Sequence, residues 1–406
     1  MKENTRISPK GTWDPAVTVE ENHYYWDGEP TLRPAMTDYQ SNDQPVVVDL
    51  FSGCGGFSTG FSQAGFLPVL GIDIHPPSIN TYALNHPSAS VILGDIRRVK
   101  ENEIRKAINR REVDVLTAGV PCQGFSLCNR KRHDEDARNY LFREFIRIVR
   151  FLKPKVVVLE NVSGIRSAKG GSFGKAIKQA IADSGYMVDC QTLNALDYGV
   201  PQIRQRVFFQ GVRKGLEIRW PSPTHGPGKE YYRMVRDALG DLPVLKAGEQ
   251  VSQYTEKPST EYQHLMRRES HELLNHEAPS HPPSTIKKIA KTRPGEPMYP
   301  TFKQRIRLHL DRPSPTQVCG GIRPQFQFGH PSQPRGLSVR ERCRIQSFPD
   351  HFRITGGIVQ GRVQTGNAVP PLLAQALALQ IKRMLKGDRP TEETLSKESA
   401  PLELFA

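Results

Sequence analysis

The sequence predicts an α/β protein built on a doubly wound, mostly parallel sheet, with a second and smaller domain rich in loops. Three observations predict it. Short apolar runs rich in Val, Ile and Leu recur along residues 46–212, helical patterns lie between several of them, and this alternation ends near residue 213. Buried parallel strands covered by helices on both faces produce such a pattern. At 406 residues the chain can form two or three lobes of about 100 to 200 residues each.

The individual elements follow from these runs. Strands are predicted at 46–51, 68–74, 90–96, 113–120, 155–162 and 205–212. Helices are predicted at 57–65, 140–152, 173–185 and 366–385, the last of which starts at paired prolines. In a doubly wound sheet ligands bind beyond the carboxyl ends of the strands, so the residues that end each run are the functional candidates.

The same patterns predict the domain organisation. Residues 1–44 are polar, contain Gly and Pro, and form an N-terminal extension, whereas 45–212 form the ligand-binding α/β domain. Residues 213–334 are rich in Pro, His, Lys and Arg and form the loop-rich domain. We expect residues 335–386 to return to the first domain and the charged residues 387–406 to be disordered.

Composition narrows the classes of protein and the compartment. Lys and Arg outnumber Asp and Glu by 56 to 42, and the net charge of +14 suits a polyanionic partner, although an ordinary basic soluble protein fits equally well. The six cysteines form no CxxC pair or Cys/His cluster, so neither a disulfide framework nor a structural metal is expected. Without a signal-peptide pattern or an apolar run of about 20 residues, the chain is expected to be cytoplasmic, with no membrane partner.

A glycine-rich loop follows the first predicted strand in the segment DLFSGCGGFSTG. Gly53, Gly55 and Gly56 allow tight turns and close approach of a ligand, although a tight turn without a ligand explains the loop alone equally well. Asp73 and Asp95 close the next two runs, where a carboxylate can bind ribose hydroxyls. Together these residues favour a nucleoside ligand.

Candidate catalytic residues end the later runs. Cys122 follows the fourth run and precedes a basic loop, where a thiol would be reachable and activated, although a single Cys is more often a small buried hydrophobe. Glu160 ends the fifth run and would face the same cleft as an acid or hydrogen-bond partner, although such a carboxylate can also cap a turn. Arg204 and Arg206 occupy alternate positions, which places both on one face of a strand.

These residues belong to motifs that resemble those of the DNA cytosine-C5 methyltransferase family, bacterial restriction-modification type, from residue 46 to about 385. The motifs appear in the family's order: DLFSGCGGFS, GIDI, GDI, PCQ at 121–123, RNYLF, ENV at 160–162, QxRxR at 202–206, RGLSVRERCRIQSFPD and GNAVPP. Each motif alone is weak evidence, but their shared order makes coincidence a poor explanation.

The resemblance implies a Rossmann-like methyltransferase fold that binds S-adenosylmethionine, and no metal. Asp73 would hold the ribose and Asp95 the adenine amino group, while adenine would meet the aliphatic Ile74, where family members often have Trp. The residues implied to surround the cofactor are Phe51, Ser52, Gly53, Gly55, Gly56, Asp73, Ile74, Asp95, Ile96, Pro121, Leu141 and Asn367.

The resemblance also implies the reaction. Cys122 would add to C6 of a cytosine extruded from double-stranded DNA, Glu160 would protonate N3, and Arg206 and Arg204 would brace that side of the base. Residues 122–141 would close over the site, and residues 213–334 would be the target-recognition domain. A monomer acting on the nucleoid in the bacterial cytoplasm, as part of a type II restriction-modification system, is expected.

Three alternatives remain. A tRNA cytosine-C5 methyltransferase of related fold would have a small, distinctive insert, whereas this chain has a long variable region. A catalytically inactive DNA-binding homologue would have no use for the Cys122 thiol. A nicotinamide-dependent oxidoreductase is disfavoured by the loop, because Ser58 stands where the third glycine of G-x-G-x-x-G would fall.

Overall fold

A mixed sheet forms the centre of the computed structural model, which describes residues 25–37, 43–121, 141–165, 171–319 and 327–387. Its strands are β1 (Thr31–Arg33), β2 (Val46–Leu50), β3 (Leu67–Asp73), β4 (Ser90–Leu93), β5 (Val115–Gly119), β6 (Val156–Val162), β7 (Tyr186–Asn194) and β8 (Gln205–Arg213). In these ranges the strand order is β1-β4-β3-β2-β5-β6-β8-β7.

The middle of the sheet is parallel and its borders are antiparallel. Strands β4, β3, β2, β5 and β6 run parallel to one another. Strand β1 pairs antiparallel with β4, and β8 pairs antiparallel with both β6 and β7. The predicted doubly wound, mostly parallel sheet is confirmed, and each of the predicted runs forms a strand.

Helices cover both faces of the sheet and extend beyond it. They are α1 (Gly56–Gln63), α2 (Pro76–Asn85), α3 (Glu101–Ala107), α4 (Leu141–Leu152), α5 (Ser172–Ala182), α6 (Val235–Leu239), α7 (Glu261–Arg267), α8 (Pro283–Lys291), α9 (Val339–Ile345), α10 (Gly357–Asn367) and α11 (Pro371–Lys386). In the ranges that the structure describes, no helix has the length and apolar character needed to cross a membrane.

Helix α11 packs closely on α1, the helix that follows the glycine loop. A Cβ atom on Gly60 would lie 2.4 Å from the carbonyl oxygen of Pro371, so the two helices approach to backbone contact. The C-terminal part of the chain therefore supports the same loop that begins the first domain.

One hydrophobic core includes residues from both sides of residue 213. Phe57 and Phe61 of α1 share it with Val235 and Leu239 of α6 and with Tyr262 of α7. The first helices of the region 213–334 thus pack on the core of the α/β domain, while the boundaries of the predicted domains stay a prediction.

A buried ion-pair network fastens this contact. The Arg344 guanidinium of α9 donates to Asp350 Oδ1 at 2.6 Å and to Asp241 Oδ1, just after α6, at 2.9 Å. The Tyr262 hydroxyl donates to the Arg344 carbonyl. Because a buried charge is tolerated only when it is paired and hydrogen-bonded, Arg344 requires both acidic partners to stay in place.

Two predicted terminal segments are only partly described. Residues 25–33 of the N-terminal extension lie along the edge of the sheet, where Thr31 pairs with Leu93 and Arg33 with Val91. The segment predicted to be disordered, 387–406, lies outside the described residues except for Gly387, which caps the C-terminal end of α11.

Candidate active site

The glycine loop crosses the carboxyl end of β2. Phe51 and Gly53 both have a φ of 53°, and Gly55 has a φ of 98°, so the backbone makes successive left-handed turns that glycine adopts most easily. The Gly53 N–H donates to Asp73 Oδ2 at 2.8 Å, and the His75 N–H donates to Asp73 Oδ1 at 2.9 Å. The loop and Asp73, which the sequence predicts on one site, therefore lie in contact.

Space and an unsatisfied polar group lie at this loop. A Cβ atom on Gly53 would have nothing within 4 Å. The buried Ser52 hydroxyl oxygen has no hydrogen-bond partner in the part of the chain that the structure describes. An open backbone turn, a free hydroxyl and the Asp73 carboxyl group fit the polar parts of a nucleoside ligand such as S-adenosylmethionine.

A second carboxyl group lies beneath the loop. Asp49 of β2 is buried and accepts hydrogen bonds from the Ser58 hydroxyl at 2.9 Å and the Thr117 hydroxyl at 2.8 Å. Burial raises the pKa of Asp49 to about 7, against the lowering effect of those hydrogen bonds. Burial also raises the pKa of Asp73, although the charge of His75 opposes it.

Asp95 is already engaged by a neighbouring side chain. Arg97 Nε donates to both carboxylate oxygens of Asp95, at 3.0 Å and 2.9 Å. Burial alone would raise the pKa of Asp95, but the hydrogen bonds and charge of Arg97 lower it overall. The next residue, Ile96, is buried, and Ile74, which follows β3, is partly buried. An adenine amino group would therefore have to share Asp95 with Arg97 or displace it.

Glu160 and Arg206 form an ion pair at the other end of the same sheet edge. Glu160 of β6 pairs in register with Gly119 of β5 and Phe208 of β8. Only 8% of its surface is exposed. Arg206 Nε lies 2.9 Å from Glu160 Oε1. Burial raises the pKa of Glu160 more than the charges of Arg206 and Arg204 lower it, which favours the protonated acid.

Arg204 has different partners from Arg206. Its buried guanidinium donates to the carbonyl oxygens of Gln317 at 3.0 Å, Gly366 at 2.8 Å and Ala368 at 2.9 Å. Gly366 and Ala368 flank the exposed Asn367 at the end of α10. Arg204, the residue before β8, thus joins that strand to the turn that carries Asn367, whereas Arg206 pairs with Glu160.

Asn161 holds the backbone that leads to Cys122, a role that the sequence analysis did not assign. Its Nδ2 donates to the Val120 carbonyl oxygen at 3.1 Å, and its Oδ1 accepts from the Val162 N–H at 2.8 Å. The signal was present in the ENV motif, where Asn161 follows Glu160. Gln202, also missed, is buried and accepts from the Gln317 N–H at 2.9 Å.

Cys122 and most of the predicted closing loop, 122–140, lie outside the described residues. The structure describes both flanks: Pro121 is exposed, and Leu141 begins α4 partly buried. Across the ranges that the structure covers, no group of three or more His, Cys, Asp or Glu side chains could hold a metal ion.

Comparisons with known proteins agree on one group. The model of the C-5 cytosine-specific DNA methylase family matches residues 46–383. The type II methyltransferase M1.HphI of Haemophilus parahaemolyticus is 38% identical over 351 residues, which are 84% of this chain and 87% of that protein. The type II methyltransferase M.DdeI of Desulfomicrobium norvegicum is 38% identical over 82% of this chain and 88% of its own length.

Solved structures give the same result for the fold. A protein described as a DNA modification methyltransferase, encoded within an E. coli prophage, superposes with a TM-score of 0.72 and 27% identity over 84% of this chain and 100% of its own. The S. pombe Dnmt2 methyltransferase superposes with a TM-score of 0.56 over 85% of this chain and 99% of its own, and its 16% identity supports the fold alone.

Proposed function

Since this chain belongs to the C-5 cytosine-specific DNA methylase family, we propose that it transfers a methyl group from S-adenosylmethionine to C5 of a cytosine in double-stranded DNA. The observation that carries the proposal is the buried Glu160–Arg206 pair, beside the Val120 backbone that leads to Cys122. Its type II relatives favour a role as the modification enzyme of a bacterial restriction-modification system and favour DNA over tRNA. We propose that it acts in the bacterial cytoplasm, on nucleoid DNA, as a monomer.

The glycine loop and the residues after β3 and β4 would hold the cofactor. When bound, S-adenosylmethionine supplies an electrophilic methyl group on a sulfonium. Asp73 would accept hydrogen bonds from the ribose hydroxyls, and Asp95 would accept one from the adenine amino group. The other residues that would line the site are Phe51, Ser52, Gly53, Gly55, Gly56, Ile74, Ile96, Pro121, Leu141 and Asn367.

Cys122 would act as the nucleophile. Its thiolate adds to C6 of the cytosine, a carbon–sulfur bond forms, and the electrons of the 5,6 double bond move toward N3, which makes C5 nucleophilic. After the methyl group is transferred, the C5 proton would pass to solvent, N3 would return its proton to the Glu160 carboxylate, the 5,6 double bond would re-form and the Cys122 thiolate would be expelled. Asn161 would position this step through the Val120 carbonyl.

Glu160 would supply the proton that N3 requires. A carboxylic acid can donate to N3 only when it is protonated, and burial favours that form in Glu160. Arg206 would orient the acid through its bond to Oε1 and would stabilise the carboxylate after proton transfer. Arg204 would act at one remove, by fixing the Asn367 turn.

DNA would bind between the glycine-loop edge and residues 213–334, the proposed target-recognition domain. C6 is inaccessible in a stacked duplex, so the base must be extruded at a cost of a few kcal/mol. We propose that residues 122–141 close over it and that their basic side chains contact phosphates.

Expression in cells that lack cytosine methylation, followed by bisulfite sequencing, tests the proposal and identifies the modified sequence. The expected result is one methylated sequence word in cells with the wild-type protein and none with Cys122→Ser. The purified protein should also form a denaturant-resistant adduct with duplexes that contain 5-fluorocytosine, because fluorine cannot leave as a proton. Transfer of the labelled methyl group of the cofactor to tRNA and not to DNA would favour the alternative substrate instead.

A further inference from the structure

A short segment of the N-terminal extension, residues 25–33, lies against the cofactor end of the sheet; we call it the strap. It lies outside the residues that match the family model, 46–383. Its strand β1 extends the sheet beyond β4, and the Trp26 N–H donates to the Ile74 carbonyl oxygen at 2.9 Å. The strap is therefore bonded directly to the residue that follows β3.

The Trp26 side chain anchors the strap. The indole is 7% exposed and belongs to a small hydrophobic cluster with Tyr82, Val91 and Leu93, against which Ile74 packs. Indole Nε1 donates to the strap's own Glu29 carbonyl at 2.8 Å. Burial of an indole whose N–H is satisfied stabilises this contact strongly.

A close approach fixes the shape of the strap around the indole. A Cβ atom on Gly28 would lie 2.7 Å from the Cζ2 atom of Trp26, so this position accepts only glycine without a shift.

The strap also holds both sides of Asp95. Before it, a Cβ atom on Gly94 would lie 2.8 Å from Pro30 Cα, so the strap touches the backbone there. After it, Arg98 donates to the carbonyl oxygens of Asp27 at 3.2 Å and Gly28 at 3.1 Å, and pairs with Glu29.

We propose that the strap is part of the S-adenosylmethionine site, with Trp26 as a positioning residue that fixes Ile74 and the turn around Asp95 for the adenine. The inference rests on the proposed function, which puts the adenine at Ile74 and Asp95. A turn held in its binding conformation before the ligand arrives loses less conformational entropy on binding than a free one. Removing the anchor therefore weakens cofactor binding and leaves the chemistry at Glu160 intact.

The test is cofactor affinity, measured by calorimetric titration of the full-length protein with S-adenosylmethionine. Trp26→Ala should raise Kd by about tenfold or more, and Trp26→Phe should restore most of the affinity. The kcat at saturating cofactor and the Kd for DNA should stay at wild-type values. The matched control is Trp220→Ala, because Trp220 bonds to Asp189 of β7 at the opposite edge of the sheet and should leave the cofactor Kd unchanged.

A second measurement separates positioning from general loss of stability. S-Inosylhomocysteine lacks the adenine amino group of S-adenosylhomocysteine, so the wild-type protein should bind it more weakly. In Trp26→Ala the Kd for S-inosylhomocysteine divided by the Kd for S-adenosylhomocysteine should fall, because a misplaced Asp95 no longer distinguishes the two bases. A defect that only destabilises the fold would weaken the binding of both ligands equally and leave this ratio unchanged.

The outcomes distinguish this inference from the proposed function. A wild-type protein that neither binds S-adenosylmethionine nor methylates DNA would refute the function. If the wild type is active but Trp26→Ala binds the cofactor with unchanged affinity, only the role of the strap is refuted. The same holds if Trp220→Ala lowers the affinity as much as Trp26→Ala does. If Trp26→Ala does not fold, Arg98→Ala decides, because it releases the same turn at the surface: a Kd about threefold higher supports the role, and an unchanged Kd refutes it.

Discussion

The two ends of the ligand-facing sheet edge treat their carboxyl groups differently. At the end proposed to bind the cofactor, Asp73 accepts from backbone N–H groups and Asp95 from the exposed Arg97. At the acid end, Glu160 is buried against Arg206. The carboxylate oxygens of Asp73 and Asp95 can also accept hydrogen bonds from a ligand. Glu160 is shielded from water, and this burial raises its pKa and favours the protonated acid. We infer that one end binds and the other reacts.

The largest expected effect is at the acid end. Glu160→Gln keeps the shape and a hydrogen-bond donor but cannot release a proton, so kcat should fall by about 10²- to 10⁴-fold. The Kd for S-adenosylmethionine should not change. Single-turnover methylation with labelled cofactor measures the first quantity and calorimetry the second. If cofactor affinity fell as far as kcat, the two ends would not be separable.

Arg204→Met should act on stability more than on chemistry. It leaves the carbonyls of Gln317, Gly366 and Ala368 without their buried donor, and the free energy of unfolding should fall by about 2–5 kcal/mol. Urea denaturation measures the change. The matched variant Arg206→Met should lower the free energy of unfolding less and kcat more than Arg204→Met does. The opposite result for both quantities would show that the roles of the two arginines are exchanged.

Asp49 gives a pH-dependent effect beneath the cofactor end. Its pKa is raised from 3.8 to about 7 in the folded protein, so the folded state binds the proton more tightly than the unfolded state. Its contribution to stability is therefore present at low pH and is lost as the pH rises across this window, by at most about 4 kcal/mol. Asp49→Asn should flatten the pH dependence of the unfolding free energy between pH 4 and 7. An unchanged slope would mean that Asp49 titrates normally.

The smallest effect is expected at Asp73. If Asp73 binds the ribose as proposed, Asp73→Asn removes the charge that would strengthen those hydrogen bonds, so the Kd for S-adenosylmethionine should rise by about tenfold. At saturating cofactor the kcat should stay near the wild-type value. A drop in kcat that saturating cofactor does not restore would place Asp73 in the chemistry and break the distinction between the two ends.

The core of the fold could be predicted from sequence because its strands are buried on both faces. The stretches 46–48 and 156–159 are continuously apolar, and this pattern has few other interpretations. Strand β1 was missed because it has only three residues and depends on a distant partner, β4. Strand β7 was missed because its exposed and half-buried residues give no continuous apolar run. The antiparallel direction of β8 leaves no trace in periodicity.

The family was predicted from the order of its motifs and is confirmed by the match over residues 46–383. The neighbourhood of Glu160 and Arg206 followed from strand ends and motif spacing. Three hydrogen-bonded contacts could not be predicted in this way: Arg97 with Asp95, Arg204 with distant carbonyls, and Asn161 with Val120. Each depends on a side-chain rotamer and on partners that only the folded chain brings together. The roles of the site residues, Cys122 included, stay predictions.

The network around Arg344 limits how residues 213–334, the proposed target-recognition domain, could be exchanged between related enzymes. A transplant that begins at residue 213 would bring in a foreign counterpart of Asp241 while keeping the host's Arg344 and Asp350. If the incoming segment lacked that carboxylate, a guanidinium would be left underneutralised in the core, and the chimera would fail through misfolding before its sequence preference could be assayed. A junction placed after α7 keeps the network within one parent.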